Sequence, residues 1–176
     1  TPKVLHKVCG QPILTYILQA ARRAGAQKTV VIVGKGADKI KEFYAKDDIE
    51  FVVQHEQKGT GHALMQAENA VKDSSHIVVL YGDMPMITAE SIEGMVRFHQ
   101  EQKAAATVMT AKVLDPTGYG RVIRQGNKVL DIREHKDATP KEREINEINA
   151  GFYCFDTSLV FSALAKVKDD NIQGEY

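Results

Sequence analysis

The spacing of apolar residues in the first hundred positions switches between short continuous runs and helical periodicity. Runs of four or five apolar residues are typical of strands covered on both faces, and apolar residues three or four apart indicate helices. The predicted order is a helix over 12–25, a strand at 29–33, a helix at 36–44, a strand at 50–53, a helix at 60–71, a strand at 76–80 and a helix at 88–102 capped by Thr88. This alternation predicts right-handed βαβ units and a mainly parallel sheet.

The pattern becomes more antiparallel after residue 104. Gly126-Asn127 separates two apolar-rich segments and predicts a hairpin turn. The predicted order is a strand at 106–113, hairpin strands at 121–124 and 128–132, a charged loop or irregular helix over 134–147, a strand at 148–155 and a helix at 157–166 capped by Asp156. We therefore expect an α/β fold in which a nucleotide-type half is followed by a more antiparallel half.

Composition limits the classes of partner. The chain has 176 residues, enough for one domain, and its 23 Lys and Arg balance 23 Asp and Glu. Zero net charge argues against nucleic acid as a partner. No apolar run approaches about 18 residues, so we expect no membrane span. Cys9 and Cys154 lack metal or redox spacing, and two free thiols are typical of a reducing cytoplasm.

The two ends of the sequence favour a fragment of a longer protein. The chain begins Thr1-Pro2-Lys3 without a methionine and runs almost at once into an apolar helix. It stops at Tyr176 without a polar tail.

Two segments carry the strongest chemical signals. Residues 54–63, QHEQKGTGHA, form a glycine-rich loop that opens a helix, where backbone N–H groups can face an anion. Asp83 follows an apolar strand, and ligands of open α/β sheets bind outside such strand ends. A carboxylate there can hold a hard cation. Together the segments predict metal-bound phosphate chemistry, although the loop could be a plain strand-to-helix turn and Asp83 a turn or cap residue.

Other candidates leave a structural and a functional interpretation open. Gln54 ends a strand with an amide that suits a nucleobase edge. Gly118 and Gly120 could shape a turn or let backbone approach a sugar closely. Glu134 could be a solvated charge, and Asn149 a turn residue. The Gly34-Lys-Gly36 segment lacks the third glycine of a dinucleotide fingerprint and favours a structural turn.

Seven segments in register resemble a known family, the N-terminal uridylyltransferase domain of the bacterial bifunctional N-acetylglucosamine-1-phosphate uridylyltransferase/glucosamine-1-phosphate acetyltransferase. The resemblance covers essentially the whole chain and implies a Rossmann-like nucleotidyltransferase fold with a mixed, mostly parallel sheet and helices on both faces. The segments are PKVLH at 2–6, QHEQKGTGHA at 54–63, YGD at 81–83, DPTGYGR at 115–121, EHKDA at 134–138, EINAG at 147–151 and QGEY at 173–176.

The resemblance implies a role for each candidate residue. Lys3 is similar to the lysine that contacts the nucleotide phosphates, and Asp83 to the aspartate that binds magnesium. The uracil-reading set is similar to Gln54, Gly59 and Thr60. Residues beside the sugar phosphate correspond to Tyr81 and Gly82, and residues that hold N-acetylglucosamine correspond to Gly120, Glu134 and Asn149. The division at residue 104 then separates a nucleotide-binding half, 1–104, from a sugar-binding half, 105–176.

The implied reaction is magnesium-dependent transfer of uridylyl from UTP to N-acetylglucosamine 1-phosphate, which gives pyrophosphate and UDP-N-acetylglucosamine, a cytoplasmic precursor of cell-wall peptidoglycan. Two alternatives stay open: transfer to another hexose 1-phosphate, and a non-catalytic module that binds UDP-sugars. The family also has a phosphate-wrapping loop before the position of Thr1, and an asparagine metal ligand and an acetyltransferase domain beyond Tyr176. We therefore expect the 176 residues alone to be inactive, and homo-oligomers, if any, to form through the acetyltransferase domain.

Overall fold

A computed structural model describes residues 1–167 of the chain. The QGEY motif at 173–176 lies outside the described residues, as does the end of the sugar-binding half. Helices and strands alternate through the first hundred residues, and strands dominate thereafter, so the predicted change of pattern near residue 104 is present.

The first part of the chain contains the predicted helices and strands. In order, the elements are a 3₁₀ turn (Lys3–Leu5), β1 (Lys7–Val8), β2 (Gln11–Pro12), α1 (Ile13–Arg23), β3 (Val30–Val33), α2 (Ala37–Phe43), β4 (Glu50–Val53), α3 (Thr60–Gln66), α4 (Glu68–Val71), β5 (His76–Val79) and α5 (Ala89–Glu101). Thr88 caps α5 as predicted, since its Oγ1 accepts from the Ser91 backbone N–H at 3.2 Å. Gly36 adopts φ 84° before α2, which agrees with a structural turn at 34–36.

Two details of this part differ from the prediction. The helix expected over 60–71 is divided at Ala67, whose N–H bonds to the Leu64 carbonyl at 3.0 Å in a tighter i→i+3 contact. The β1–β2 hairpin was not predicted. Its strands are only two residues long, which is too short to show a period, and its turn residue Cys9 has φ 47°.

The second part is built around a hairpin and one long strand. Its elements are β6 (Ala106–Lys112), β7 (Arg121–Gln125), β8 (Lys128–Arg133), α6 (Pro140–Arg143), β9 (Glu147–Asp156) and α7 (Thr157–Leu164). The predicted hairpin is confirmed, with φ 59° at Gly126. Asp156 caps α7 as predicted, by accepting from the Ser158 N–H at 2.9 Å. Within the charged segment, Thr139 and Glu142 form a capping box that starts α6.

Strand pairing is mixed. β3 and β4 pair in parallel from Val30↔Glu50 to Val33↔Val53. A larger, five-stranded sheet contains β5 to β9, and all of its strand pairs are antiparallel. The α/β fold class is confirmed, but pairing within residues 1–167 is mostly antiparallel and not mostly parallel. The periodicity could not reveal this, because β5 pairs with the distant β9 and not with β4, the strand before it.

β9 is the central strand of the larger sheet. One edge of it pairs with β6, and the other edge is shared by β7, at Ile148, and β5, at residues 153–156. The β6 pairing jumps from Val108↔Tyr153 to Thr110↔Asn149, so β9 bulges between these pairs. Bulges of this kind often lie beside functional sites, where they redirect side chains.

Two apolar clusters bury the inner faces of the sheets. One joins α1, β3 and α2 through Leu14, Leu18, Val33, Ile40 and Tyr44. The other joins α5 to β9 through Met95, Phe152 and Cys154. Burial raises the pKa of the Cys154 thiol to about 11. Among residues 1–167, no helix combines the length and apolar character needed to cross a membrane.

Candidate active site

The candidate site begins where the 3₁₀ turn meets the segment after β5. The Lys3 Nζ lies 2.7 Å from Asp83 Oδ2, with 74% and 38% of the two side chains exposed. Gly82 lies under the 3₁₀ turn, since a Cβ there would be 3.5 Å from Val4 and 3.6 Å from Leu14. An exposed ion pair adds little to stability. The pair therefore places two opposite charges, both accessible to solvent, beside the 3₁₀ turn.

Tyr81 connects this ion pair to the rest of the site. Its hydroxyl hydrogen-bonds with the Thr60 side chain, and its environment includes the charges of Glu134 and Asp83. Burial raises the Tyr81 pKa, the Thr60 bond lowers it, and the two carboxylates raise it. Tyr81 therefore keeps its proton at neutral pH. The Thr60 hydroxyl, predicted as a helix cap or base contact, is engaged with Tyr81, while Gly59 holds the N-cap position.

Gln54 follows β4 and has a fixed orientation. Its backbone N–H donates to the Val33 carbonyl at 2.8 Å. Its Nε2 donates to the Gly59 carbonyl at 3.1 Å and to His62 Nδ1 at 2.9 Å. Because a carbonyl can only accept, the nitrogen of the amide must face Gly59. The Oε1 acceptor is what the amide retains for a ligand. Gly59 has φ 98°, a conformation that favours glycine.

Gly120 and Glu134 lie together on the far side of Tyr81. A Cβ added at Gly120 would be 2.9 Å from Glu134 Oε1, so the carboxylate occupies the space that a side chain would fill. Gly120 is buried, whereas Glu134 is exposed. The Gly120 carbonyl accepts from the Asn149 N–H at 2.9 Å. The three candidate sugar-binding residues are thus neighbours.

Arg121, which the sequence analysis did not single out as a site residue, supports this group. Its side chain is buried, with a relative exposure of 1%. The guanidinium donates to the Tyr119 carbonyl, to His135 Nδ1 at 3.2 Å and to the Arg143 carbonyl at 3.5 Å. Because Tyr119 precedes Gly120 and His135 follows Glu134, Arg121 joins the backbone before Gly120 to the side chain after Glu134.

Asn149 lies inside β9 at the bulge. Its Oδ1 accepts from the Gly151 N–H at 2.9 Å, which is the turn-shaping contact that the sequence left open. Its Nδ2 donates to the Tyr153 hydroxyl. Gly151 has φ 77°, and a Cβ there would lie 2.2 Å from Tyr81 Cε2. Gly151 thus connects the two residues, because its N–H bonds to Asn149 and its Cα faces the Tyr81 ring.

Three residues around the site, Gly151, Tyr153 and Arg121, were not among the residues predicted from the sequence. A glycine within a strand of apolar and aromatic residues signals a bulge or a close backbone approach, so Gly151 carried a usable signal. Tyr153 carried none, because its position depends on where β5 and β7 meet β9. A buried arginine cannot be told from a surface one by spacing along a short strand.

Magnesium fits the Asp83 end of the site if a ligand completes its shell. Mg²⁺ is usually bound by one or two carboxylates with waters and substrate phosphates. Asp83 offers one carboxylate that is partly exposed, which leaves room for water. Across residues 1–167, no group of three or more His, Cys, Asp and Glu side chains could hold a metal ion by itself. The donor set therefore suits a substrate-bound cation rather than a protein-only centre.

Comparison with known proteins supports the predicted resemblance. The chain is 45% identical over 176 residues to the bifunctional protein GlmU of Clostridium botulinum, covering 99% of this chain and 39% of that protein. It is 48% identical over 177 residues to the bifunctional protein GlmU of Listeria monocytogenes serotype 4a, covering 99% and 38%. The chain thus spans about two fifths of the length of these relatives.

Solved structures share the fold. A UDP-glucose pyrophosphorylase complexed with UDP-glucose superposes with a TM-score of 0.80 at 17% identity, covering 98% of this chain and 74% of that one. A putative glucose-1-phosphate thymidylyltransferase from Bacillus anthracis, in complex with a sucrose, gives a TM-score of 0.83 at 25% identity, with coverages of 100% and 70%. Both are consistent with the predicted nucleotidyltransferase fold.

A family model described as nucleotidyl transferase matches residues 1–175. This match and the GlmU relatives confirm the resemblance drawn from the seven segments. The chain belongs to the nucleotidyl transferase family.

Proposed function

We propose that the site transfers uridylyl from UTP to N-acetylglucosamine 1-phosphate in the cytoplasm, giving UDP-N-acetylglucosamine and pyrophosphate. A phosphate oxygen of the sugar phosphate attacks the α-phosphorus of UTP, and the bond from that phosphorus to the bridging oxygen breaks. The bonding electrons leave with pyrophosphate. The observation that carries the proposal is the convergence of a Lys3–Asp83 charge pair with separate groups suited to a base and to a sugar around Tyr81.

Charge placement supports the phosphate end. Asp83 would hold magnesium, which when bound would neutralise phosphate charge and orient the phosphate oxygens. Lys3 now lies against Asp83, and its long, exposed side chain can turn its ammonium group to the phosphates. Phosphoryl transfer needs positioning and charge stabilisation more than covalent catalysis, and these residues supply both.

The retained acceptor of Gln54 supports uracil as the base. Uracil has an N–H donor at N3, whereas cytosine has an acceptor at the same position. The Gln54 Oε1 matches the donor, because its Nε2 is engaged by Gly59 and His62. The proposal therefore makes Gln54, with Gly59 and Thr60, the base-reading set.

Sugar recognition is assigned to the second half of the chain. Glu134 can accept charge-assisted hydrogen bonds from sugar hydroxyls, and the missing side chain at Gly120 leaves room for the Glu134 carboxylate. Asn149 adds an amide to the same group. We accordingly propose that residues 1–104 bind the nucleotide and that residues 105–176 bind the sugar. The hydrogen bonding crosses this division, since β5 pairs with β9.

A substrate panel tests the proposal in the natural full-length gene product that contains this chain. Pyrophosphate release is measured with UTP and magnesium, using N-acetylglucosamine 1-phosphate, glucose 1-phosphate or no sugar. We expect the highest kcat/KM with N-acetylglucosamine 1-phosphate. A higher value with glucose 1-phosphate would favour the other hexose phosphates. Binding of UDP-N-acetylglucosamine without any pyrophosphate release would favour a non-catalytic UDP-sugar module.

A further inference from the structure

The central strand β9 has a gap in its hydrogen bonding beside the site. The Asn149 N–H donates to the Gly120 carbonyl, next to the β7 contact at Ile148. Two residues further, Gly151 lies in the bulge with φ 77°, and none of the β9 pairings within residues 1–167 includes it. β5 pairs only from Tyr153 onward. The Gly151 N–H therefore needs another acceptor, and Asn149 Oδ1 supplies it at 2.9 Å.

This contact determines which way the Asn149 amide faces. A backbone N–H can only donate, so the atom that faces Gly151 must be the amide oxygen. Nδ2 then faces the Tyr153 hydroxyl. Tyr153 must accept this bond, since Nδ2 has no lone pair to offer. One hydrogen of Nδ2 is used, and the second is left for a ligand.

Tyr153 is itself held firmly. Its ring stacks on Phe155 with centroids 5.5 Å apart and planes 12° from parallel. Burial raises the pKa of Tyr153, and the Asn149 bond lowers it, while nearby Tyr81 and Glu134 raise it. The hydroxyl therefore stays protonated at neutral pH, within electrostatic range of two candidate substrate-binding residues.

We propose that Tyr153 is a positioning residue for sugar recognition: it holds the Asn149 amide so that one Nδ2 hydrogen faces the sugar. The proposal rests on the proposed function, because it assumes that Asn149 contacts the sugar. Without the Tyr153 hydroxyl, the amide keeps only its bond to Gly151 and can turn about its last torsion. Sugar binding would weaken, while the Gln54 amide, which is held by Gly59 and His62, would keep its orientation.

Tyr153→Phe tests this, because it removes one oxygen and keeps the ring stack. In the natural full-length gene product, we expect KM for N-acetylglucosamine 1-phosphate to rise about three- to tenfold, the range for one lost hydrogen bond. KM for UTP should stay within twofold. Tyr44→Phe is the matched control, since Tyr44 is also a tyrosine whose hydroxyl bonds one side chain, Thr15, at 2.7 Å. It should leave the ratio of the two KM values unchanged.

A double-mutant cycle separates positioning from a general structural role. In an Asn149→Ala background, Tyr153→Phe should have no further effect on the sugar KM, because the group that it positions is gone. An unchanged sugar KM in Tyr153→Phe, equal changes in both KM values, or additive effects in the cycle would each overturn the proposal. Failure of the proposed function would show separately, as absence of pyrophosphate release from the wild type. The same comparison would then be made by calorimetric binding of UDP-N-acetylglucosamine.

Discussion

At the scale of single residues, the proposed function makes the orientation of the Gln54 amide the feature that selects the base. Two groups of its own loop, the Gly59 carbonyl and His62, use the donors of the amide. A site that is built to bond one polar edge discriminates strongly against an analogue that leaves its groups unpaired. Under the proposed function, base selection would therefore depend on the loop that orients Gln54 as much as on Gln54 itself.

Replacement of Gln54 by alanine should narrow the preference for UTP over CTP. Loss of one neutral hydrogen bond predicts a rise in the UTP KM of about three- to tenfold, with a smaller change for CTP. Gln57→Ala, in the same loop, is the control and should leave the UTP/CTP ratio within twofold. Steady-state kinetics with both nucleotides measure this. An unchanged ratio in Gln54→Ala would mean that the base is read elsewhere.

Among the elements, β9 brings the two sides of the site together. Its bulge lies where β7 ends its contact and β5 begins, and Tyr81 packs directly against the backbone at Gly151. A residue with a Cβ at position 151 would meet the Tyr81 ring and would also be strained at φ 77°. The geometry around Tyr81 and Asn149 therefore depends on a glycine that has no side chain of its own.

Gly151→Ala should destabilise the fold by about 1–3 kcal/mol, the usual range for overpacking and backbone strain. It should also displace Tyr81 and so lower kcat/KM. Gly94→Ala is a matched control, because Gly94 lies within α5 and a Cβ there meets nothing within 4 Å. That change should stabilise the protein by about 0.5–1 kcal/mol. Denaturant unfolding measures the free energy of unfolding of both variants. Equal values for Gly151→Ala and Gly94→Ala would contradict the account of the bulge.

The sequence predicted elements well and their partners less well. Apolar spacing located α1, α5 and the β7–β8 hairpin, because each has a clear period or turn. Apolar spacing could not predict that β5 pairs with β9. A buried strand has the same apolar run whichever strand lies beside it. Asp83 and Glu134 were selected as candidates because they are carboxylates at the ends of predicted strands, and their roles stay predictions. The contact of Tyr153 with Asn149 could not be predicted, because it depends on a pairing gap that only the tertiary structure creates.

At the scale of the whole molecule, one buried imidazole links the helical layer to the larger sheet. His99 of α5 has a relative exposure of 1%, and its Nδ1 lies 2.9 Å from the Thr107 hydroxyl of β6. Its ring meets His76 of β5 edge-on at 5.2 Å. Within residues 1–167, Nε2 has no hydrogen-bond partner. Burial lowers the His99 pKa, His76 lowers it further, and Asp156 raises it.

This imidazole predicts loss of stability in mild acid. A lowered pKa in the folded state means that the unfolded chain binds the proton more readily below its ordinary pKa of about 6.5. The free energy of unfolding should therefore fall as the pH drops through about 6.5. His99→Gln should reduce this slope, whereas the control His55→Gln, at an exposed position, should not. Urea titrations between about pH 7.5 and about pH 5 measure how the free energy of unfolding depends on pH. An unchanged slope in His99→Gln would show that His99 does not cause this dependence.

The central claim, that Asp83 and its neighbours form a magnesium-dependent uridylyl-transfer site, is tested most directly by pyrophosphate release. The assay uses UTP, N-acetylglucosamine 1-phosphate and saturating magnesium with the natural full-length gene product and its Asp83→Asn variant, and Asp73→Asn serves as an exposed control. The account predicts rapid release by the wild type and the control, and a loss of about a hundredfold in Asp83→Asn. Near-normal release by Asp83→Asn, or no release by the wild type, would contradict it.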